Sequence, residues 1–213
     1  MEAMNMSIPS ALKMERVAAQ TTATVRTQAP AMFPIFTTRR VREQFLNPEG
    51  YAQNFTLEVA REHFFRTHVP YGSIIYREAK RHNLPPELVA AVVAAESDFR
   101  PKLISHKNAQ GLMQLIPSTG RLMGAGDLFN PAENIAAGTK YLRYLFNRFG
   151  DEHTVLAAYN AGEGNVEKFG GMPPFPETIN YVRKVSARTA SYRQRIQGTY
   201  VASIRMRSSM LPH

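Results

Sequence analysis

The stretch AVVAAESDF, Ala91 to Phe99, ends an apolar run in a carboxylate. Leu88 to Ala95 carries no polar side chain, and Pro85-Pro86-Glu87 stands before it. Proline suits the first turn of a helix, where its missing N–H leaves nothing unpaired. At about 100° per residue, Val89, Val92, Val93 and Glu96 share one face. Glu96 is therefore expected on the buried side, and Phe99-Arg100-Pro101 should stop the helix just beyond it. Desolvation and the negative end of the helix dipole both raise the pKa of a carboxyl so placed. A carboxylic acid that keeps its proton near neutral pH is what general acid catalysis needs. The same residues also fit a structural Glu paired with an arginine at the helix end, such as Arg100.

Other residues that could do chemistry fall in later segments: Ser105, Gln114, Tyr159, Asn160, Glu177 and Tyr181. Amides and hydroxyls beside aromatic faces suit sugar rings, which offer hydroxyls at the edge and C–H groups on the face. A two-carboxylate glycosidase needs a second acid at a set distance. Asp98 lies about 200° from Glu96 around the helix and reads as solvated or capping. Asp127 and Glu163 sit in loops with nothing to place them near Glu96. The six histidines include no HExxH pair, and no EF-hand loop is present, so no metal is expected. Phosphate loops and dinucleotide fingerprints are absent. AGEGNVEKFGG follows no strand and reads as turns, and no nucleophile elbow is visible. No cofactor is expected.

The elements that must position these residues are mostly helical. Leu57 to His68 and Tyr71 to His82 read as amphipathic helices, the second with Ile74 and Ile75 inward and Arg77, Lys80 and Arg81 outward. Ser105 to Gly120 is a loop around an apolar patch, leading into a short helix at Pro117. In FNPAENIAAGTKYLRYLFNRFG, Asn130 is the N-cap, Pro131 the first helical residue and Glu133 the third, a capping-box pattern. Ile135, Leu142, Leu145, Phe146 and Phe149 supply the buried stripe and Gly150 the stop. DEHTVLAAYNAG and PETINYVRKVSARTA are further helices, the last with Ile179, Val182 and Val185 inward. This makes a mainly α domain over 56–192. Residues 1–55 lack helical periodicity and read as irregular, with one short extended piece at Thr22–Thr27. Residues 193–213 read as a basic tail with weak alternation, outside the core.

The 213 residues contain no cysteine, which excludes disulfides and thiol catalysis. No apolar stretch reaches the roughly 20 residues of a membrane span. Lys13, Glu15 and Arg16 break the N-terminus, so no signal peptide is visible. The net charge of +9 is uneven: no acid follows Glu177, whereas Arg183, Lys184, Arg188, Arg193, Arg195, Arg205 and Arg207 do. Such a surface favours polyanions, or is simply a solvated basic tail.

AAESDF, SHKNAQGLMQLIPST, NPAENIAAGTKYL, AAYNAGEGNV and PETINYVRKV, in this order, resemble the successive motifs of the soluble lytic transglycosylase (SLT) family over about residues 71–188. The resemblance implies a mainly α, lysozyme-like fold of the α+β goose-type lysozyme and SLT catalytic-domain kind. It implies cleavage of the MurNAc–GlcNAc bond of peptidoglycan without net hydrolysis. Glu96 matches the family's catalytic acid. Ser105 matches the serine that contacts the substrate N-acetyl group, Gln114 the cleft glutamine, and Tyr159 the Tyr of Ala-Tyr-Asn-Ala-Gly. Glu177 matches the acid of the Glu-Thr motif, and Tyr181 the aromatic after it. The implied partners are peptidoglycan glycan strands, with nucleic acid not expected; the basic tail, outside the resemblance, suits anionic wall polymers by its charge. The implied location is the cell envelope or periplasm. Three residues depart from the pattern: Asn108 replaces a usual Gly, Ile116 a common Met and Glu163 a frequent Pro. Asn tolerates the left-handed conformation, so the loop should survive. Two rival readings remain: a lysozyme-like hydrolase on the same fold, and an inactive basic protein that binds wall polymer or nucleic acid.

Overall fold

The structure, a computed structural model, describes residues 48–209. The irregular reading of residues 1–47, with its extended piece at Thr22–Thr27, lies outside them. The described residues form eight helices: α1 (Pro48–His68), α2 (Gly72–Arg81), α3 (Pro86–Glu96), α4 (Pro117–Met123), α5 (Pro131–Phe149), α6 (Glu152–Ala161), α7 (Glu163–Phe169) and α8 (Pro176–Ser209).

Helix α3 is the core. Leu88, Val89, Ala90, Ala91, Val92 and Val93 are all 0% exposed, so the helix is buried all round rather than on one face. An apolar helix with no polar stripe has no side to give to water. Helices α2 and α8 pack against it. Its first-turn Glu87 is buried too, and is paired with Arg61, whose Nε lies 2.8 Å from Glu87 Oε1. Buried Glu78 of α2 is held in the same way by Arg77 and Arg81, at 2.9 and 3.2 Å.

Between α3 and α4 the chain is irregular. Isolated antiparallel bridges join Ile104 to Gln110 and Gln110 to Leu115. Asn108 takes the left-handed conformation expected of it, with φ +60°. Gly111 is required for two reasons. Its φ is +76°, and a Cβ there would collide with the Leu128 carbonyl oxygen and the Asn134 amide. Asn134, 0% exposed, is the clamp of this loop. Its Nδ2 donates to the Gln110 and Leu128 carbonyls at 2.9 Å each, and its Oδ1 accepts from Met113 N at 2.7 Å.

Helix α5 starts where the sequence placed it. Asn130 Oδ1 accepts from Ala132 N at 2.9 Å. The capping box is only half made, because Glu133 Oε2 turns to Gly126 N and Asp127 N at 2.7 and 2.9 Å. The acid thus ties the preceding loop to the helix. AGEGNVEKFGG forms helix α7 between Gly162 and Gly170 rather than turns alone.

The largest difference from the sequence expectation is α8. It continues as one helix to Ser209, where an irregular or extended tail was expected after 192. Likewise α1 begins at Pro48, ahead of the expected boundary at 56. The two ends hold each other: Tyr192 lies 6.4 Å from both Phe64 and Phe65, and the Arg195 guanidinium sits 5.0 Å over the Phe64 ring. Ile196 is 2% exposed. This packing outweighs the cost of Gly198 inside the helix, about 1 kcal/mol. A boundary at 192 therefore cuts through packed structure. Ile196→Ala should lower the unfolding free energy by about 2–5 kcal/mol in urea denaturation. An unchanged midpoint would mean that this part of α8 is independent of the core.

Candidate active site

Helix α3 ends at the floor of a cleft of about 420 Å³. Glu96, Ser105, Gln114, Tyr159, Asn160 and Glu177, all picked out from the sequence, line it. Tyr181 is not in the lining. It is 9% exposed and lies behind Glu96, with its hydroxyl directed at the Glu96 carboxyl. Apart from that approach, the hydroxyl has no hydrogen-bond partner among the described residues.

Gln114, Tyr159 and Ser105 are fixed by hydrogen bonds with the backbone, and Asn160 by a side chain. Ser97, next to Glu96 and 1% exposed, donates from Oγ to the Leu112 carbonyl at 2.8 Å. The end of α3 is thereby tied to the loop that carries Gln114. Gln114 has φ +46°, and its Nε2 is spent on the Leu103 and Gly111 carbonyls at 3.1 and 2.8 Å. Tyr159 of α6 donates to the Met113 carbonyl at 2.8 Å, closing the loop from the other side. Ser105 Oγ accepts from Lys107 N and Ala109 N at 3.2 and 3.0 Å, which shapes the rim around Asn108. Asn160 Oδ1 accepts from Thr178 Oγ1 of α8 at 2.8 Å.

Burial raises the Glu96 pKa from 4.5 to about 7. The nearby Tyr181 hydroxyl and the charge of Lys184 oppose this, and the negative charge of Glu177 adds to it. Lys184 Nζ also donates to the Ala95 carbonyl at 3.2 Å, at the C-terminal end of α3. Arg100 does not pair with Glu96; its Nε donates to the Ser97 carbonyl at 3.0 Å. Tyr159 and Tyr181 have pKa values pushed well above 10, first by burial and then by the charge of Glu96. Both phenols thus remain donors at every physiological pH. The cleft sets a protonated carboxyl among fixed amides, hydroxyls and ring faces, an arrangement that can protonate a bound ether oxygen. Among the described residues, no three His, Cys, Asp or Glu side chains come together to hold a metal.

Asp98 is exposed at φ +50°. Ile116 lines the cleft, while Glu163 stands outside its lining and accepts hydrogen bonds from Tyr141 and Tyr144. Sequence reasoning missed Ser97, Asn134, Thr178, Tyr141 and Lys184. All but Tyr141 act through backbone carbonyls, backbone N–H groups or a neighbouring side chain, which no local pattern reports. Lys184 was counted with the basic tail.

A carboxyl whose folded pKa is raised still holds its proton where the unfolded chain has lost it. Stability therefore falls as pH rises from about 4.5 to about 7, and the full penalty applies above that. Glu96→Gln removes the penalty. Urea denaturation should find the variant more stable than the parent by about 1–3 kcal/mol near pH 8, with the gain vanishing near pH 4. A gain independent of pH would contradict the burial assignment.

The Transglycosylase SLT domain model matches residues 73–182. A transglycosylase of Enterobacteria phage PRD1 is 43% identical over 82 residues, covering 38% of this chain and 31% of its own length. The soluble lytic murein transglycosylase of Escherichia coli K12 is 33% identical over 147 residues, covering 58% of this chain and 23% of its own length. The chain thus spans under a third of the length of these relatives. The crystal structure of the 70 kDa soluble lytic transglycosylase of Escherichia coli superposes with a TM-score of 0.54 at 24% identity, over 74% of this chain and 35% of that one. That likeness shows a shared fold. The family model takes in α2 through the first part of α8, with every cleft residue named above, and by that match the chain belongs to the SLT transglycosylase domain family.

Proposed function

We propose that the chain is a peptidoglycan lytic transglycosylase that cleaves the MurNAc-(β1,4)-GlcNAc bond, with Glu96 as acid and then base. The observation that carries the reading is a carboxyl with a pKa of about 7 facing a cleft of amides, hydroxyls and aromatic rings. Membership of the SLT family and the murein named for its relatives supply the substrate class.

On this reading Glu96 gives its proton to the glycosidic oxygen, and the GlcNAc leaves with a free 4-hydroxyl. The 2-acetamido group of MurNAc stabilises the positive charge at C1, as in substrate-assisted glycosidases. The Glu96 carboxylate then takes the proton of the 6-hydroxyl, whose oxygen bonds to C1 and closes the 1,6-anhydro ring. One carboxyl serves both steps. Lys184 and Tyr181 lower the cost of the charged half of the cycle, and burial favours the return of the 6-hydroxyl proton to Glu96. Ser105, Gln114, Asn160 and Glu177 hold the sugar edges, Tyr159 walls the site, and Tyr181 backs Glu96. A hydrolytic reading enlists Glu177, which also lines the cleft, to activate water.

Product mass decides between the two. Soluble peptidoglycan fragments should yield a product lighter by one water than the hydrolytic one. Activity should decline as pH rises through about 7, because the acid must be protonated. Glu96→Gln should abolish turnover, since an amide keeps the shape and cannot give up a proton. Appreciable activity in that variant removes Glu96 as the acid. No product from the parent chain, together with salt-sensitive DNA binding, would instead favour an inactive binder.

The substrate places this activity in the cell envelope. Among the described residues no helix is long and apolar enough to cross a membrane. Arg183 and Arg193 are exposed on α8 and form part of a surface for anionic wall polymers. Activity on intact sacculi should then fall several-fold as salt is raised past the point where the Debye length is about 8 Å, with a smaller fall on soluble fragments. Equal salt dependence on both substrates removes the surface role.

A further inference from the structure

Three tyrosine rings lead outward from Glu96. Tyr159 forms the inner wall, near enough to Glu96 to feel its charge. Tyr141 lines the same cleft, with its ring centre 5.5 Å from that of Tyr159. Tyr144, nearly one turn further along α5, lies 6.1 Å from Tyr141 with the two planes 14° apart, and is 39% exposed. Near-parallel rings at that separation are offset rather than overlaid. They make a stepped apolar surface that runs from the cleft to the outside.

The outer rings are held from below. Both hydroxyls end on one carboxylate: Tyr141 donates to Glu163 Oε1 at 3.4 Å and Tyr144 to Glu163 Oε2 at 2.8 Å. Arg148 completes the group. Its NH1 donates to the Tyr144 hydroxyl at 2.9 Å and lies 3.2 Å from Glu163 Oε2, and its NH2 is paired with Glu167. Only an acceptor side chain at 163 can take both hydroxyls at once. Tethered rings have already given up the rotamer freedom that a ligand would otherwise have to remove.

We propose that Tyr141 and Tyr144, fixed by Glu163, form an additional saccharide subsite that takes the face of a sugar ring leaving the cleft. The proposal rests on the glycan-cleaving reading above. A cleft of about 420 Å³ holds a short piece of a polymer, and the rest of the strand must cross the rim. The C–H face of a pyranose matches the exposed ring, and the phenol edges, already bonded to Glu163, carry no unpaired polar group into the contact.

The test uses the full chain carrying Glu96→Gln, so that binding is read without turnover. Calorimetric titration with soluble glycan oligomers of alternating GlcNAc and MurNAc, two to six sugars long, should show affinity rising with length. Adding Tyr144→Ala should remove the outermost step and weaken binding of the longest oligomers about tenfold. Tyr144→Phe, which keeps the ring, should retain most of that step, and Glu163→Ala should lose part of it. A loosened α7 would weaken binding at every length alike, so the length dependence separates a subsite from a structural clamp. The same length dependence in Tyr144→Ala as in the Glu96→Gln parent overturns the proposal, as does a loss in Tyr144→Phe equal to that in Tyr144→Ala. If the parent binds no oligomer at all, the glycan reading itself falls and takes the subsite with it.

Discussion

A carboxyl at the end of a helix that is buried on every side is the constraint that organises this domain. Leu88 through Val93 give α3 no polar face, so neighbouring elements must enclose it completely. Glu96 then leaves the core where the C-terminal end of the helix meets the cleft. Ionising it in that position is costly, and the surrounding groups set how costly. Tyr181 and Lys184 act from α8 to favour the charge, while Glu177, from the start of the same helix, acts against it. The balance leaves a group that can hold a proton and release it in the same pH range.

The second requirement is that an irregular segment behave as a rigid one. Residues 97–116 contain only isolated β-bridges, yet they form one wall of the cleft. Rigidity comes from buried polar groups that are fully used. Asn134 makes three hydrogen bonds to the loop and its flank, Ser97 takes the Leu112 carbonyl, and Tyr159 takes that of Met113. Buried amides and hydroxyls left unpaired would each cost a sizeable fraction of the stability of a domain this size. The network therefore specifies one loop conformation. Gly138 serves the same end, since a Cβ there would strike the Met113 side chain.

The two long helices at the ends of the described chain pack against each other. Phe64 and Phe65 of α1 meet Tyr192 and Ile196 of α8, on the same long helix whose start supplies Glu177, Thr178 and Tyr181 to the site. Stability at the far end of α8 and geometry at its near end are thus carried on one rigid element.

By itself the sequence determined much of this. The apolar run before Glu96, the Asn130-Pro131 start of α5 and the Gly stops are local signals, written in the residues that make them. Motif order was enough to bring Ser105, Gln114, Tyr159, Asn160 and Glu177 to one cleft with Glu96, because their types carry the chemistry. What only the tertiary structure decided depends on partners distant in the chain. The course of α8 beyond residue 192 follows from Phe64 and Phe65, more than a hundred residues earlier. Lys184 read as one more basic residue, and became a neighbour of Glu96 only when α8 lay against α3. Glu133 read as a capping box and instead chose the loop N–H groups that folding brought to it. Local pattern reports what a residue does to its own segment, whereas burial and charge compensation are set by whatever the fold places beside it.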